Sequence, residues 1–286
     1  VANLNLNHFT VTYGRGGKGN PVFSATNCAV TNPVSTNTEL TCTTAAGYGA
    51  GHKWNVKIQK TNGLGVIEGQ YNTASTPEII TGYNAPLVTQ IVPQSTSTSA
   101  LLTSGAQILV LTGTNMGPLA LDLEEYYATS ECMEQANWRI CAYTSMSCQV
   151  TVANTEAQCT TTAGTGELHK HRLQIVSHDW IGASSSVTTS YASPTITAIT
   201  SSDIGNPLVI DTWGNEDILI TGTNFGPRDR TVYMPSTLGI ITAMYSNGAN
   251  ALTYGPTDHC IVTIAQTEIR CTSKAGVGKE FRWKVT

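Results

Sequence analysis

Short segments of the chain alternate apolar and polar residues with period two, or run apolar for four to eight residues, and Gly, Asn and Pro clusters bound them. ILVLTGTN (108–115), DILITGTN (217–224), CQVTVAN (148–154) and CIVTIAQ (260–266) are the clearest cases. Successive side chains of a strand point to opposite faces, so this pattern predicts strands with one buried and one wetted face. Many short strands separated by turn signals at this spacing predict a β-sandwich. One stretch stands apart. LALDLEEYYATSECMEQANWRICAY (119–143) is acidic, holds two cysteines, and reads as a helical turn or an inserted loop.

The pattern repeats. LTGTNMGP (111–118) recurs as ITGTNFGP (220–227), and PLVTQIVP (86–93) as PTITAITS (194–201), 109 and 108 residues later. A third block occurs three times, as CAVT…ELTCTTAAGYG from Cys28, CQVT…EAQCTTTAGTG from Cys148 and CIVT…EIRCTSKAGVG from Cys260. Each copy is followed by a strand-like segment: KWNVKIQ, KHRLQIV and FRWKVT. Length alone, 286 residues, predicts two domains at roughly 100–200 residues each. The repeats replace that with units spaced about 110–117 residues apart, the size of an immunoglobulin-like sandwich. They predict domains over 1–83, 84–192 (with the insertion 119–143) and 193–286.

A Pro-x-Ile start, a strand ending in Gly-Thr-Asn-Phe-Gly, then Cys…Ile-x-Cys-Thr…Gly-x-Gly and a closing strand resemble the IPT/TIG family. This family comprises immunoglobulin-like domains shared by plexins, other cell-surface proteins and some transcription factors. The resemblance covers nearly the whole chain. Repeat three fits best, repeat two carries the insertion, and repeat one lacks the Pro-x-Ile and Gly-Thr-Asn-Phe-Gly segments. It implies an all-β chain of three tandem immunoglobulin-like β-sandwich domains. Fold does not fix role, because such sandwiches host many functions.

Composition agrees with strands. Thr is the commonest side chain and only 12% of residues are charged, which excludes an all-α fold and a disordered charged tail. No apolar run reaches the 18 residues of a membrane helix, so no membrane insertion is expected within 1–286. Residues 1–30 show no signal-peptide pattern, so any leader is expected to have been removed already. The net charge of −4 lacks the basic stripe of a nucleic-acid surface, and with the cysteines it speaks against the DNA-binding branch of the family. Charge is nonetheless uneven: 1–83 carry +2, 84–192 carry −5 and 193–286 carry −1. Arg270, Lys274, Lys279, Arg282 and Lys284 crowd the end of the chain, and Glu124 and Glu125 sit in its acidic middle. These charges form either solvated faces or a head-to-tail contact between copies.

Eight cysteines, with no Cys-x-x-Cys and no paired histidine motif of zinc type, point to an oxidising compartment and an extracellular or cell-surface location. Cys28 with Cys42, Cys148 with Cys159 and Cys260 with Cys271 are spaced to face each other across hairpins. Closing so short a loop contributes about 3 kcal/mol at most. Buried thiols and a metal site are the alternatives. Cys132 and Cys141 are expected to pair within the insertion, with an intermolecular bridge as the other reading.

Catalytic signals are thin. The Gly-Thr-Asn-x-Gly turns have no Lys-Ser/Thr and no following helix, so they are strand exits rather than phosphate loops, with Met116 or Phe225 plugging the sandwich end. His169 and His171, two apart on one strand, share a face. No third metal ligand accompanies them, so both are expected in solvent. Neither Glu124–Glu125 nor Glu216–Asp217 faces a second acid across a cleft, and no Gly-x-Ser-x-Gly occurs. Trp54, Trp138, Trp180, Trp213 and Trp283 are expected as core or interface anchors rather than a sugar platform. No Asn-x-Ser/Thr is present; the Ser/Thr-rich stretches make Thr96, Thr98, Ser184, Ser185 and Thr188 candidate O-glycan carriers. No enzyme activity and no cofactor are expected.

Aligned on Gly47, Gly164 and Gly276, repeat one begins about 35 residues late and repeat three stops about 20–25 early. The first domain is therefore expected to lack its opening strands and the third its closing strand. Such sandwiches expose unpaired edges that another chain can fill. Ala2, Leu4 and Leu6 alternate with asparagines; this strand either belongs to domain one or is a candidate assembly strand in another molecule, and the third reading is that 1–286 is a window on a longer continuous array. The expected function is a subunit of a filament or cell-surface fibre, homopolymeric and assembled head to tail. The competing expectations are a receptor or adhesin ectodomain that binds protein or glycan, and an accessory module of a carbohydrate-active enzyme.

Overall fold

The computed structural model describes residues 9–16, 22–30, 39–61, 67–74, 79–94, 100–176, 180–201, 209–228, 241–247, 253–255 and 260–286. The chain is nearly all β, its sheets are antiparallel, and the sheets fall within three successive stretches.

The middle stretch shows the plan most fully. Its strands are β7 (Leu87–Pro93), β8 (Ile108–Thr114), β9 (Leu123–Ala128), β10 (Tyr143–Thr144), β11 (Ser147–Val152), β12 (Glu156–Thr160), β13 (His169–Ile175), β14 (Trp180–Ile181) and β15 (Thr188–Thr189). One sheet has the order β11-β12-β8-β7, and the other runs β10-β9-β13-β14, with β15 also on β13. The two inner faces meet. Leu109, Leu111, Cys148, Val150, Ala157 and Cys159 from the first sheet share one buried cluster with Leu123, Tyr127, Leu173 and Ile175 from the second. Burying a Leu or Ile fully contributes about 1.5–3 kcal/mol, so this interdigitation is what holds the layers together. The alternation of β8 decides its facing, since Leu109 and Leu111 point in while Ile108 and Thr114 stay exposed.

The last stretch follows the same plan with β16 (Thr195–Ser201), β17 (Asp217–Thr223), β18 (Ala243–Ser246), β19 (Thr253–Tyr254), β20 (Ile261–Ile264), β21 (Glu268–Thr272) and β22 (Arg282–Val285). Sheets β16-β17-β21-β20 and β19-β18-β22 enclose Ile218, Ile220, Phe225, Ile241, Val262, Ile269 and Val285. The first stretch has β1 (Phe9–Gly14), β2 (Val22–Val30), β3 (Leu40–Thr43), β4 (Ala50–Thr61), β5 (Ile67–Ala74) and β6 (Ile80–Gly82). They form one path, β3-β2-β1-β4-β5, with β6 on β4. Repeat one has no counterpart of β7 and β8 among the described residues, so β3 pairs with β2 alone where β12 also pairs with β8. Its cysteines are accordingly only half-buried, whereas Cys159 and Cys271 are at most 1% exposed.

Gly113 and Gly222, inside β8 and β17, are required by close approach. A Cβ there would collide with the carbonyl of Leu87 or Thr195 on the neighbouring strand. Met116 and Phe225 plug the sandwich ends as expected, at 0% and 1% exposure.

The acidic stretch 119–143 is not an insertion throughout. Leu123–Ala128 is the central strand β9, paired with β13 in the register His171↔Tyr127, as β18 pairs with β22 in Tyr245↔Trp283. The added part is confined to a short helix α1 (Ser130–Met133) and a 3-10 turn (Trp138–Ile140). Here Cys132, Met133, Trp138 and Cys141 form a small core of their own with Tyr126. Arg139 and Arg172 lie 4.9 and 4.8 Å from the Trp138 ring, a double cation–π clamp.

Four disulfides join Cys28–Cys42, Cys132–Cys141, Cys148–Cys159 and Cys260–Cys271. Cys148 and Cys159 are direct cross-strand neighbours, so that staple fixes the register of β11 on β12. Cys132 and Cys141 are buried and joined to each other, which closes the intermolecular reading. Disulfides of this number belong to a chain that matures in an oxidising environment. Among the described residues no helix is long and apolar enough to cross a membrane.

Candidate functional site

In each repeat a buried tyrosine projects from an equivalent strand: Tyr13 on β1, Tyr127 on β9 and Tyr245 on β18. Its ring stacks on the cross-strand residue of the next strand, namely Trp54 at 4.4 Å, His171 at 5.3 Å and Trp283 at 4.3 Å between centroids. Its hydroxyl accepts from a backbone N–H after the second cysteine: Ala45 at 2.9 Å, Thr162 at 3.1 Å and Lys274 at 3.0 Å.

The repeats differ beyond this point. In repeats one and two a second tyrosine comes after the last strand, Tyr83 after β6 and Tyr191 after β15. Its hydroxyl lies 2.6 Å from the Tyr13 hydroxyl in repeat one and 2.8 Å from that of Tyr127 in repeat two. It donates in turn to the Ala45 carbonyl at 2.6 Å or the Thr162 carbonyl at 2.8 Å. With one proton per hydroxyl, each repeat closes a ring: backbone N–H to first phenol, first phenol to second, second phenol back to the carbonyl of the same residue. Bonds in such a chain polarise one another. Burial drives the hydroxyls of Tyr83, Tyr127 and Tyr191 well above the usual phenol range, so the phenols stay protonated and the ring stays intact at any ordinary pH. Gly47 and Gly164 make the space, since a Cβ at either would strike the second tyrosine.

The same strand brings a threonine two residues earlier. Trp54 Nε1–H donates to Thr81 Oγ1 at 2.8 Å, and His171 Nε2 lies 2.8 Å from Thr189 Oγ1. The backbone is held too, because Tyr83 N–H donates to Gly49 and Tyr191 N–H to Gly166, both at 2.9 Å. Thr-x-Tyr is thus the latch of the closing strand.

Repeat three has the receiving half of this latch. Tyr245 donates directly to the Lys274 carbonyl at 3.0 Å, so its ring closes without a second phenol. A groove of about 840 Å³ lies between repeats two and three, lined by Gly166, Ser190 and Tyr191 on one side and by Phe225, Ile241, Trp283 and Val285 on the other. In repeat two the matching path is occupied. Trp180 and Ile181 pair with Ile175 and Gln174, and Gly182 N–H donates to Leu173 at 2.9 Å. A side chain on Gly182 would strike the Pro86 carbonyl, so the strand threads between β13 and the start of β7. Among the described residues no strand lies on the second edge of β22.

The histidine expectation is corrected. His169 and His171 are both 0% exposed, because β13 turns this face to the core rather than to solvent. Burial, reinforced by His171 nearby, lowers the His169 pKa to about 4, so it is neutral at neutral pH. No described polar group reaches either nitrogen of its ring. His171 Nδ1 lies 2.6 Å from Glu125 Oε1. Adjacent strand residues point to opposite faces, so Glu125 goes inward at 0% exposure while Glu124 stays outside and accepts from Tyr126 at 2.6 Å. Glu125 is therefore not an assembly charge; its carboxylate is spent on His171. Glu125, His171 and Thr189 have the order of a relay, but none lines the groove, and together they tie β9, β13 and β15. The described residues contain no group of three or more His, Cys, Asp or Glu that could hold a metal.

The remaining candidates scatter. Arg270 pairs with Asp217 at 3.7 Å, Lys274 is half-buried, and Lys279, Arg282 and Lys284 are exposed. Ser185 is buried and its hydroxyl accepts from His171 N–H and donates to the Val187 carbonyl, so it drops out as a glycan carrier. Ser184 is half-buried and Thr188 exposed. Ala2, Leu4, Leu6, Thr96 and Thr98 lie outside the described residues. Trp138 is buried, Trp54, Trp180 and Trp283 are half-buried, and Trp213 is 83% exposed. The latch is present in the sequence as ITGYNAP (80–86) and TTSYASP (188–194), 108 residues apart, but it lies outside the blocks that the cysteines draw attention to. Compared with protein-family models and with curated proteins, the chain matches none.

Proposed function

We propose that the chain is a non-enzymatic, extracellular structural protein of tandem IPT/TIG-like sandwiches, the subunit of a filament or cell-surface fibre assembled head to tail by strand completion. The observation that carries this reading is the latch. Repeats one and two are closed by a Thr-x-Tyr strand, while in repeat three no described strand lies on the second edge of β22, near an apolar groove shared with repeat two. An apolar groove beside an unpaired edge is a site for an added strand. Four disulfides, three of which staple a hairpin in each repeat, suit a protein that works outside the reducing cytosol. A head-to-tail contact that does not close on itself gives an open filament. Negative-stain microscopy of the native material tests the proposal. Fibres whose axial repeat matches the chain are expected, and monomers alone at high concentration would overturn it.

A further inference from the structure

Successive repeats meet through the same kinds of contact at both junctions, and the second junction has one contact more. We infer that repeats two and three are locked into one rigid body, by a joint whose tether and knob recur between repeats one and two and whose clasp, Gln266 on Thr103, does not. The joint lies within one chain and is independent of any assembly between chains.

The tether leaves little slack. Tyr83 and Tyr191 are fixed in the repeat that they close, by their hydroxyls and by their N–H groups on Gly49 and Gly166. Two residues on, the carbonyls of Ala85 and Ser193 are already held by the following repeat, where they accept from Asn115 Nδ2 at 3.3 Å and from Asn224 Nδ2 at 2.9 Å. Pro86 and Pro194 come next, their φ locked by the ring, and lead into β7 and β16.

A knob sits beside each tether. Tyr48 lies between Gly47 and Gly49, and Thr165 between Gly164 and Gly166. Tyr48 packs against the core cluster of repeat two, and a Cβ on Gly117 would lie 3.7 Å from its own. Thr165 seats more tightly, since a Cβ on Gly226 would come 2.5 Å from its methyl group. Gly117 and Gly226 leave β8 and β17 with φ of +93° and +82°. The glycine that lets the strand turn thus also clears the seat for the preceding repeat.

The clasp belongs to the second joint. Gln266, at the β20–β21 turn of repeat three, reaches back to Thr103 in the β7–β8 loop of repeat two. Its Nε2 donates to the Thr103 carbonyl at 3.0 Å, and its Oε1 accepts from the Thr103 hydroxyl. Two bonds to one planar amide fix its direction as well as its distance. Thr103 is 3% exposed, and its carbonyl also accepts from Gly164 N–H at 3.0 Å, so the clasp closes on the knob segment itself. Repeat one has no counterpart of that loop among the described residues, so its joint to repeat two rests on tether and knob.

Residual dipolar couplings of the backbone amides, measured on the weakly aligned 286-residue chain, test the lock. One alignment tensor should fit repeats two and three together, with the couplings of repeat one scaled down. Gln266→Asn should break the common fit and make the second joint behave like the first. This change copies Asn154, whose N–H donates to Gly117 as that of Gln266 does to Gly226, but its side chain is one methylene short of the clasp. Thr103→Val should loosen the joint from the other side, and adding it to Gln266→Asn should loosen nothing further, because both break one contact. Unmoved amide shifts in the two cores separate a loosened joint from an unfolded repeat. A Gly-Ser linker inserted between Ala192 and Ser193 supplies the uncoupled reference. Independent tensors for repeats two and three in the unaltered chain, or a common tensor that survives both substitutions, would overturn the inference.

Discussion

Repeats two and three place the same tyrosine on the same strand and surround it differently. In repeat two Tyr127 stacks on an imidazole, His171, whose smaller ring leaves room for the Glu125 carboxylate, and the closing strand seals all three from water. In repeat three Tyr245 stacks on the larger Trp283, with Ala243 at the position of Glu125, and Trp283 also lines the groove shared with repeat two. Repeat one is intermediate, with Val11 and Trp54 inside and the latch closed. A buried carboxyl–imidazole pair lies beneath the closing strand of repeat two. Repeats one and three carry apolar and aromatic groups at these two positions instead, Val11 with Trp54 and Ala243 with Trp283.

The largest way to break the comparison is Glu125→Ala. It leaves His171 buried without its acceptor and should cost about 3–5 kcal/mol in urea unfolding. The double change Glu125→Val with His171→Trp, which installs the pair of repeat one, should recover most of that loss, because apolar replacement of a buried pair is neutral or better.

Acid is expected to act on repeat two next. His169 is neutral and buried with a pKa of about 4, against an ordinary value of 6.5. The unfolded chain therefore binds a proton in this interval that the folded chain refuses. The stability linked to His169 is fully present above pH 6.5 and is lost as pH falls from 6.5 to about 4. Its size is about 3 kcal/mol, from the conversion of pKa shift to free energy. His169→Phe, which copies Phe281 of repeat three, should flatten that part of the pH profile of thermal unfolding.

Reducing Cys148–Cys159 should cost repeat two about 3 kcal/mol or somewhat less, read as an earlier urea transition. Smaller again is Tyr191→Phe, which opens the phenol ring of repeat two at a cost of about 0.5–1.5 kcal/mol. Tyr245→Phe should cost repeat three less, because Lys274 is only half-buried, whereas Thr162 is buried. If both tyrosines cost the same, the ring adds nothing to repeat two and the comparison fails.

Much of this was legible in the chain. The Cys-to-Cys spacings predict the three hairpin staples because a short antiparallel hairpin leaves few ways to face two cysteines. The Gly-Thr-Asn-x-Gly motifs signal strand exits, and Gly117 and Gly226 have the positive φ such an exit needs, whereas the close approach at Gly113 and Gly222 shows only in the structure. The strand Leu123–Ala128 was hidden because Glu124 and Glu125 interrupt its apolar alternation, and an acid inside a core is invisible until its partner is placed. The partner lies 46 residues away on another strand. His169 and His171 read as solvent-facing for the same reason: periodicity says that they share a face, and only packing says which one.

By itself the sequence determined the all-β class, the repeat, the cysteine pairs and the turns, since each depends on residues near one another or on a spacing that recurs. The tertiary structure decided which way each strand faces, which charge is buried, and that two tyrosines and one peptide group close a ring in repeats one and two but not in three. Those outcomes depend on which strands lie across from one another, and a hydrogen bond between residues 64 or 70 positions apart has no local signature.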